Sequence, residues 1–108
     1  LIGGAGNDRD DFNTVADSGP AVADVISDFA GIGGPVVDAI DLSDVFAGVL
    51  SFIGGADFTA AGQVRVVASG TDTLVQVNTS GAGGAEMQIL VQDGAAVPSQ
   101  WVATDFIL

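Results

Sequence analysis

The sixteen glycines of this sequence are not scattered. They gather at Gly3-Gly4, at Gly31 with Gly33-Gly34, at Gly54-Gly55, and at Gly81 with Gly83-Gly84. Glycine weakens the interior of a helix or strand and is favoured where the backbone must turn sharply. Between the clusters lie short runs of β-branched and other apolar residues. This punctuation predicts short strands joined by turns. The predicted strands are Val25–Phe29, Ala39–Leu42, Leu50–Ile53, Val64–Val67, Leu74–Val77, Met87–Val91 and Asp105–Leu108. Val64-Arg65-Val66 and Val75-Gln76-Val77 alternate apolar and polar, as half-buried strands do. No long helical period appears. Single helical turns are expected where Asp57 or Thr59 could cap a turn through Ala61, and at Ser99–Val102 after Pro98. The fold class is therefore mainly β.

At 108 residues, of which 48% are hydrophobic, the chain can bury one small core. A soft division falls near Gly48. Asp-rich turns precede it, and a more regular succession of strands, suited to an antiparallel sheet, follows. No low-complexity linker separates the two parts, so 1–108 is read as a single domain.

The formal net charge is −12, with Arg9 and Arg65 the only cations. A surface this acidic repels nucleic-acid phosphates and anionic lipid and suits cations. Acidity that simply keeps an apolar chain in solution is the plainer alternative. Against it, nine of the fourteen acidic residues fall between Asp8 and Asp44. No apolar run reaches the roughly eighteen residues a membrane helix needs, so membrane insertion is not expected. No basic segment precedes an apolar one, so no N-terminal signal peptide is visible.

Several chemistries are excluded outright. The sequence has no Cys and no His, which removes disulfides, thiolate and imidazole metal sites, and the His-Glu-x-x-His zinc helix. Gly-x-Ser-x-Gly is absent. Asp72-Thr73 is followed by Leu74 rather than the Gly of an aspartic protease loop. Gly81-Ala82-Gly83-Gly84-Ala85-Glu86 approaches a dinucleotide loop, but Glu86 would repel a pyrophosphate and no long helix follows. The many carboxylates leave a glycosidase-like acid pair open. A cation or a solvated turn accounts for them more simply.

Gly3-Gly4-Ala5-Gly6-Asn7-Asp8, with Leu1 two positions before it, has the composition of an oxygen-donor turn. The glycines let carbonyl oxygens converge, and Asp8 adds a charged oxygen toward the six to eight that Ca²⁺ requires. One such turn cannot complete a site, and about three stacked repeats are needed to bury a core. A single copy suggests the end of a longer protein. Further along, Asp24 and Asp28 would share one face of a strand, with Val25 and Phe29 turned toward the core. Asp38-Ala39-Ile40-Asp41-Leu42-Ser43 follows a Gly-rich turn. These two acidic strand ends could share a cation, or the aspartates could cap turns through their own backbone. Their spacing leaves both readings open.

Together these residues resemble the C-terminal region of RTX proteins secreted by Gram-negative bacteria, in particular the serralysin-type C-terminal domain. Leu1-x-Gly-Gly-Ala-Gly-Asn-Asp8 resembles a last β-roll repeat, and Phe12-Asn13 with Asp17-Ser18 resembles the segment after it. Asp24-x-Ile-x-Asp-Phe29 and Asp38-x-Ile-Asp-Leu-Ser43 resemble the family's paired acidic strands. Ala61-Gly62-Gln63-Val64-Arg65 is similar to a family strand, and Asp105-Phe106-Ile107-Leu108 resembles its terminal acid followed by three apolar residues. The resemblance covers the whole chain and rests on these motifs occurring in this order.

The resemblance implies an architecture and a role. The fold would be the last turn of a parallel β-roll (residues 1–17), Asp-rich calcium-binding strands and turns (18–48), and a small antiparallel β-sheet or sandwich (49–108). The segment would not be an enzyme, since any catalytic domain would lie upstream. It would bind Ca²⁺, cap the upstream repeats and carry an uncleaved signal read by a type I secretion ABC transporter, so the protein would be extracellular. The implied metal ligands are Asp8, the carbonyls of Gly4 and Gly6, and Asp28 and Asp38. Asp24, Asp41 and Asp17 are further candidates. The signal would lie at Asp105, Phe106, Ile107 and Leu108. Two departures stand out. Asp10 replaces the apolar residue expected two after the repeat Asp, and with Asp11 it would sit badly in a β-roll core. The stretch from Asn78 to Glu86 lacks the family's inner carboxylates, so a plain hairpin without metal is expected there. Trp101, the sole Trp, is expected in the core. The alternative function is a binding or assembly module of a surface-layer or adhesin protein.

Overall fold

A computed structural model describes residues 9–19, 23–27, 29, 38–81, 84–92 and 98–108. Among the described residues eight short strands form two sheets. They are β1 (Arg9–Asp11), β2 (Asp24–Ile26), β3 (Ala39–Asp41), β4 (Ser51–Phe52), β5 (Gln63–Ser69), β6 (Asp72–Asn78), β7 (Met87–Val91) and β8 (Phe106–Ile107). Short 3₁₀ turns occupy Val15–Ser18, Pro98–Gln100 and Ala103–Asp105. The smaller sheet has the order β1-β3-β8 and is parallel throughout. The larger has the order β2-β7-β6-β5-β4. Its centre, β5-β6-β7, is an antiparallel meander, while its outer strands β2 and β4 join in parallel. The expected mainly β class, with both parallel and antiparallel pairing, is the one observed; the parallel part is not confined to the start, since β8 completes the smaller sheet. Among the described residues no helix is long and apolar enough to cross a membrane.

The meander follows from the alternation in the sequence. Val64, Val66, Val75, Val77, Met87, Ile89 and Val91 all point inward and are fully buried. Each such side chain contributes about 1.5–3 kcal/mol by leaving water. They share one core with Ile40 and Phe106 of the smaller sheet and with Phe12, Phe29, Leu42 and Trp101. Trp101 is buried as expected, stacked between Phe29 at 5.1 Å and Phe106 at 5.5 Å between ring centroids. The division near Gly48 does not separate the sheets. β2, from before it, extends the larger sheet, and β8, from the end of the described chain, completes the smaller one.

Several expectations need correction. Val25 does not face the core: it is 36% exposed, and Ile26 is the buried residue of β2. The reason is its pairing, since Ile26 lies beside the buried Val91, while Val25 aligns with Leu90 on the outer face. Leu90, Leu74 and Val67 continue that outer row across the sheet. The acidic strands β2 and β3 are not neighbours, because β2 pairs with β7 and β3 with β1 and β8. No helical turn forms at Asp57–Ala61. The Gln63 side chain caps that loop instead, its Oε1 accepting from the Thr59 and Ala60 amides at 2.7 and 3.1 Å. Asp105 belongs to a 3₁₀ turn rather than to the last strand, and its Oδ2 accepts from the Val102 amide at 2.8 Å.

Candidate functional site

The small parallel sheet gathers most of the described acidic candidates. Arg9 aligns with Ala39, Asp10 with Ile40 and Asp11 with Asp41, and on the other side Ile40 aligns with Phe106 and Asp41 with Ile107. The row Asp10-Ile40-Phe106 faces inward and is buried; Asp11 on the opposite face is exposed. Asp10 thus does enter the interior, as its position in the sequence implied, and it does so with an interaction partner of its own. The strands are pinned at their ends. The Phe12 amide donates to the Asp41 carbonyl at 3.0 Å and the Leu42 amide to the Ile107 carbonyl at 2.8 Å.

Asp41 is the best-defined acidic group in this sheet. Its side chain is fully buried, yet both carboxylate oxygens have donors. Oδ1 accepts from the Ser43 amide at 2.9 Å and the Ser43 hydroxyl at 2.7 Å, and Oδ2 accepts from the Arg9 guanidinium. Burial alone would raise its pKa, but the Ser43 hydroxyl and amide and the Arg9 charge outweigh burial and hold it below the usual carboxylate value. Asp38, just before β3, is buried, as is Asp105, and each has interactions of its own.

The other candidates sit elsewhere. Asp24 opens β2 beside Ile89 in the larger sheet, half-buried, so it is separated in topology from Asp38 and Asp41. Asp17 is exposed and accepts from the Asn13 and Thr14 amides at 2.9 and 3.1 Å, which lowers its pKa. Gly4, Gly6, Asp8 and Asp28 lie outside the described residues. Among the described residues no three acidic side chains converge as a metal ion would require, and no pocket opens. In the tail, Asp105 and Phe106 are buried, Leu108 packs partly against the core and Ile107 is 38% exposed.

Two polar devices were not foreseen from the sequence. Ser18 is fully buried and joins three segments: its hydroxyl donates to the Gln88 carbonyl on β7 and accepts from the Asp24 amide at 2.8 Å. Glu86 closes the β6–β7 connection, its Oε1 accepting from the Thr79 and Ser80 amides, each at 2.8 Å. Asn78 Oδ1 accepts from the Gly81 amide at 2.9 Å in the same loop. Glu86 shows a sequence signal in retrospect: an acid directly before a strand and across a short turn from free amides. Ser18 shows none, because its partner is 70 residues away.

No protein-family model matches the chain, and no curated protein does. A solved structure does. The chain resembles the solution structure of the AlgE6R3 subunit from the Azotobacter vinelandii mannuronan C5-epimerase, at a TM-score of 0.60 and 25% identity. The likeness covers 99% of this chain and 56% of that one, so this chain spans about half the length of the structure it matches. The shared feature is the fold.

Proposed function

We propose that this chain is a calcium-binding C-terminal cap of an extracellular RTX protein, exported unfolded by a type I ABC transporter of a Gram-negative bacterium and folded by external Ca²⁺. It is not itself an enzyme. The observation that carries the reading is the position of β1. This strand directly follows the Gly-Gly-x-Gly-x-Asp sequence motif, runs parallel to its neighbour and, among the described residues, lies at the edge of its sheet. An upstream β-roll, which is also parallel, would continue across that edge. The similar AlgE6R3 is a subunit of an epimerase, which favours a module that accompanies catalysis carried out elsewhere in its protein.

Calcium supplies the switch. With little free Ca²⁺, the acidic segments repel one another and the chain stays open enough to thread a channel. Outside, Asp8 with the Gly4 and Gly6 carbonyls, and the downstream acids Asp28 and Asp38, would take up calcium, and its binding free energy becomes folding free energy. At a hundred times Kd that amounts to about 2.7 kcal/mol. The tail Asp105–Leu108 would be read by the transporter before folding, since folding buries Phe106.

A calcium titration followed by Trp101 fluorescence and thermal unfolding tests the metal half. Midpoints should rise steadily through the millimolar range, and no stabilisation at millimolar Ca²⁺ would end the reading. Export of a passenger fused to this segment tests the other half. Removing Asp105–Leu108 should abolish it, and unchanged export would locate the signal elsewhere.

A further inference from the structure

We infer that Arg9 is the built-in counter-ion of Asp41, standing where a bound cation would otherwise sit, so that the parallel sheet closes at this point without metal. Asp41 has the type and position of a cation ligand in the sequence, but its surroundings do not fit one. Its carboxylate is fully buried and already meets three donors: the Ser43 amide, the Ser43 hydroxyl and the Arg9 guanidinium. A cation ligand needs free lone pairs turned toward a shared centre. Among the described residues no third acid converges with it.

The geometry also shows why an arginine is needed. On one face of the sheet Asp11 lies directly beside Asp41, and adjacent like charges across strands are destabilising. Arg9 precedes Asp11 by two residues, so it lies on the same face of β1 and reaches Asp41 diagonally. Its side chain is 60% exposed, while the acid its guanidinium meets is fully buried. A guanidinium delivered by the neighbouring strand neutralises the acid whatever the calcium concentration is. Calcium then has its effect at other residues. The exclusion of calcium from Asp41 rests on the calcium reading above, whereas the ion pair stands without it.

A double-mutant cycle separates the two. Arg9→Gln, Asp41→Asn and the double variant of the 108-residue chain are unfolded in urea with chelator present. Each single change should lower the folded-to-unfolded ratio at least about tenfold, and the double should fall well short of the product of the two. Effects that multiply independently would overturn the ion pair. Calorimetric titration with CaCl₂ then reads the metal. Asp41→Asn should keep the number of calcium ions bound and their affinity within about threefold. Loss of one ion, or a weakening beyond about tenfold, would make Asp41 a ligand and overturn the inference. If Asp41→Asn does not fold, Arg9→Lys decides. It should retain most of the stability that Arg9→Gln loses, and equal losses would overturn the charge role. A wild-type chain that takes up no calcium ends the calcium reading, and the cycle in chelator still decides the pair.

Discussion

Replacing Phe106 by Ala should be among the most damaging single changes in this chain, and replacing its neighbour Ile107 one of the mildest. Phe106 is 6% exposed and sits on the inward row of the small sheet beside Ile40. Its ring stacks on Trp101 at 5.5 Å and meets Phe52 at 5.2 Å. Truncation removes the buried ring, leaves a cavity and breaks both aromatic contacts. Buried Phe→Ala changes cost about 3–5 kcal/mol. A domain of this size has about 5–15 kcal/mol in total, so roughly a fifth of the stability or more depends on one residue of a two-residue strand. Ile107, on the other face and 38% exposed, should cost about 1 kcal/mol or less. Urea unfolding at fixed calcium, followed by far-ultraviolet circular dichroism with Trp101 emission as a second probe, measures both. A loss below about 1 kcal/mol for Phe106→Ala, or equal losses for the two variants, would show that β8 is not docked as described.

Ile26→Ala should cost about 2–4 kcal/mol while Val25→Ala stays within about 0.5–1 kcal/mol, since only Ile26 faces the core; thermal unfolding of the two variants checks this face assignment. Glu86→Gln should destabilise the folded chain at neutral pH by about 1–2 kcal/mol, because the charged acceptor of two loop amides becomes a neutral one. Burial works to raise the Glu86 pKa, but the Ser80 and Thr79 donors override it and the pKa is lowered. A lowered folded-state value means this stabilisation is present above the ordinary glutamate pKa and is lost as pH falls through the folded value. Wild type and Glu86→Gln should therefore converge in stability below the ordinary glutamate range and separate above it, and a gap that persists unchanged in acid would contradict the clamp.

The strands that were legible in the sequence are those whose alternation is enforced by burial on one face. Val64-Arg65-Val66 and Val75-Gln76-Val77 became the centre of the antiparallel meander, with the valines inward and Arg65 aligned with Gln76 outward. β1 was not legible as a strand, because Arg9-Asp10-Asp11 has no apolar residue and a paired acid looks unfit for a sheet. What makes it fit is remote: Asp41 lies 32 residues away and supplies the partner for Arg9. The error over Val25 has a related cause. An acid at Asp24 suggests a solvent-facing row, but β2 is set by its parallel partner β7, and the buried row there is Ile89 and Val91. Asp24 therefore lies on the row of Ile26. Local pattern specifies a strand, whereas the face of a parallel edge strand is chosen by a neighbour that spacing cannot name. Asp38 and Asp41 were readable as a group. Their contacts were not, since a serine two residues on and an arginine in another strand are what meet the Asp41 carboxylate.

The order of strands in the small sheet bears on when this chain can fold. β3 is its middle strand, flanked by β1 from the start of the described chain and β8 from its end. The antiparallel meander can form from consecutive segments, with short connections and low loop-closure cost. The parallel sheet cannot. Its second pairing needs Phe106 and Ile107 to return beside Ile40 and Asp41, across the entire meander. Such long-range parallel pairing is intrinsically slow. Until those residues have left the ribosome, Ile40 lacks its Phe106 neighbour and Trp101 lacks one of its two stacking partners. The meander can therefore precede the core that covers it, but the complete core cannot precede the tail. Pairing of β8 with β3 therefore completes the core that the meander begins, burying Phe106 while Ile107 stays 38% exposed.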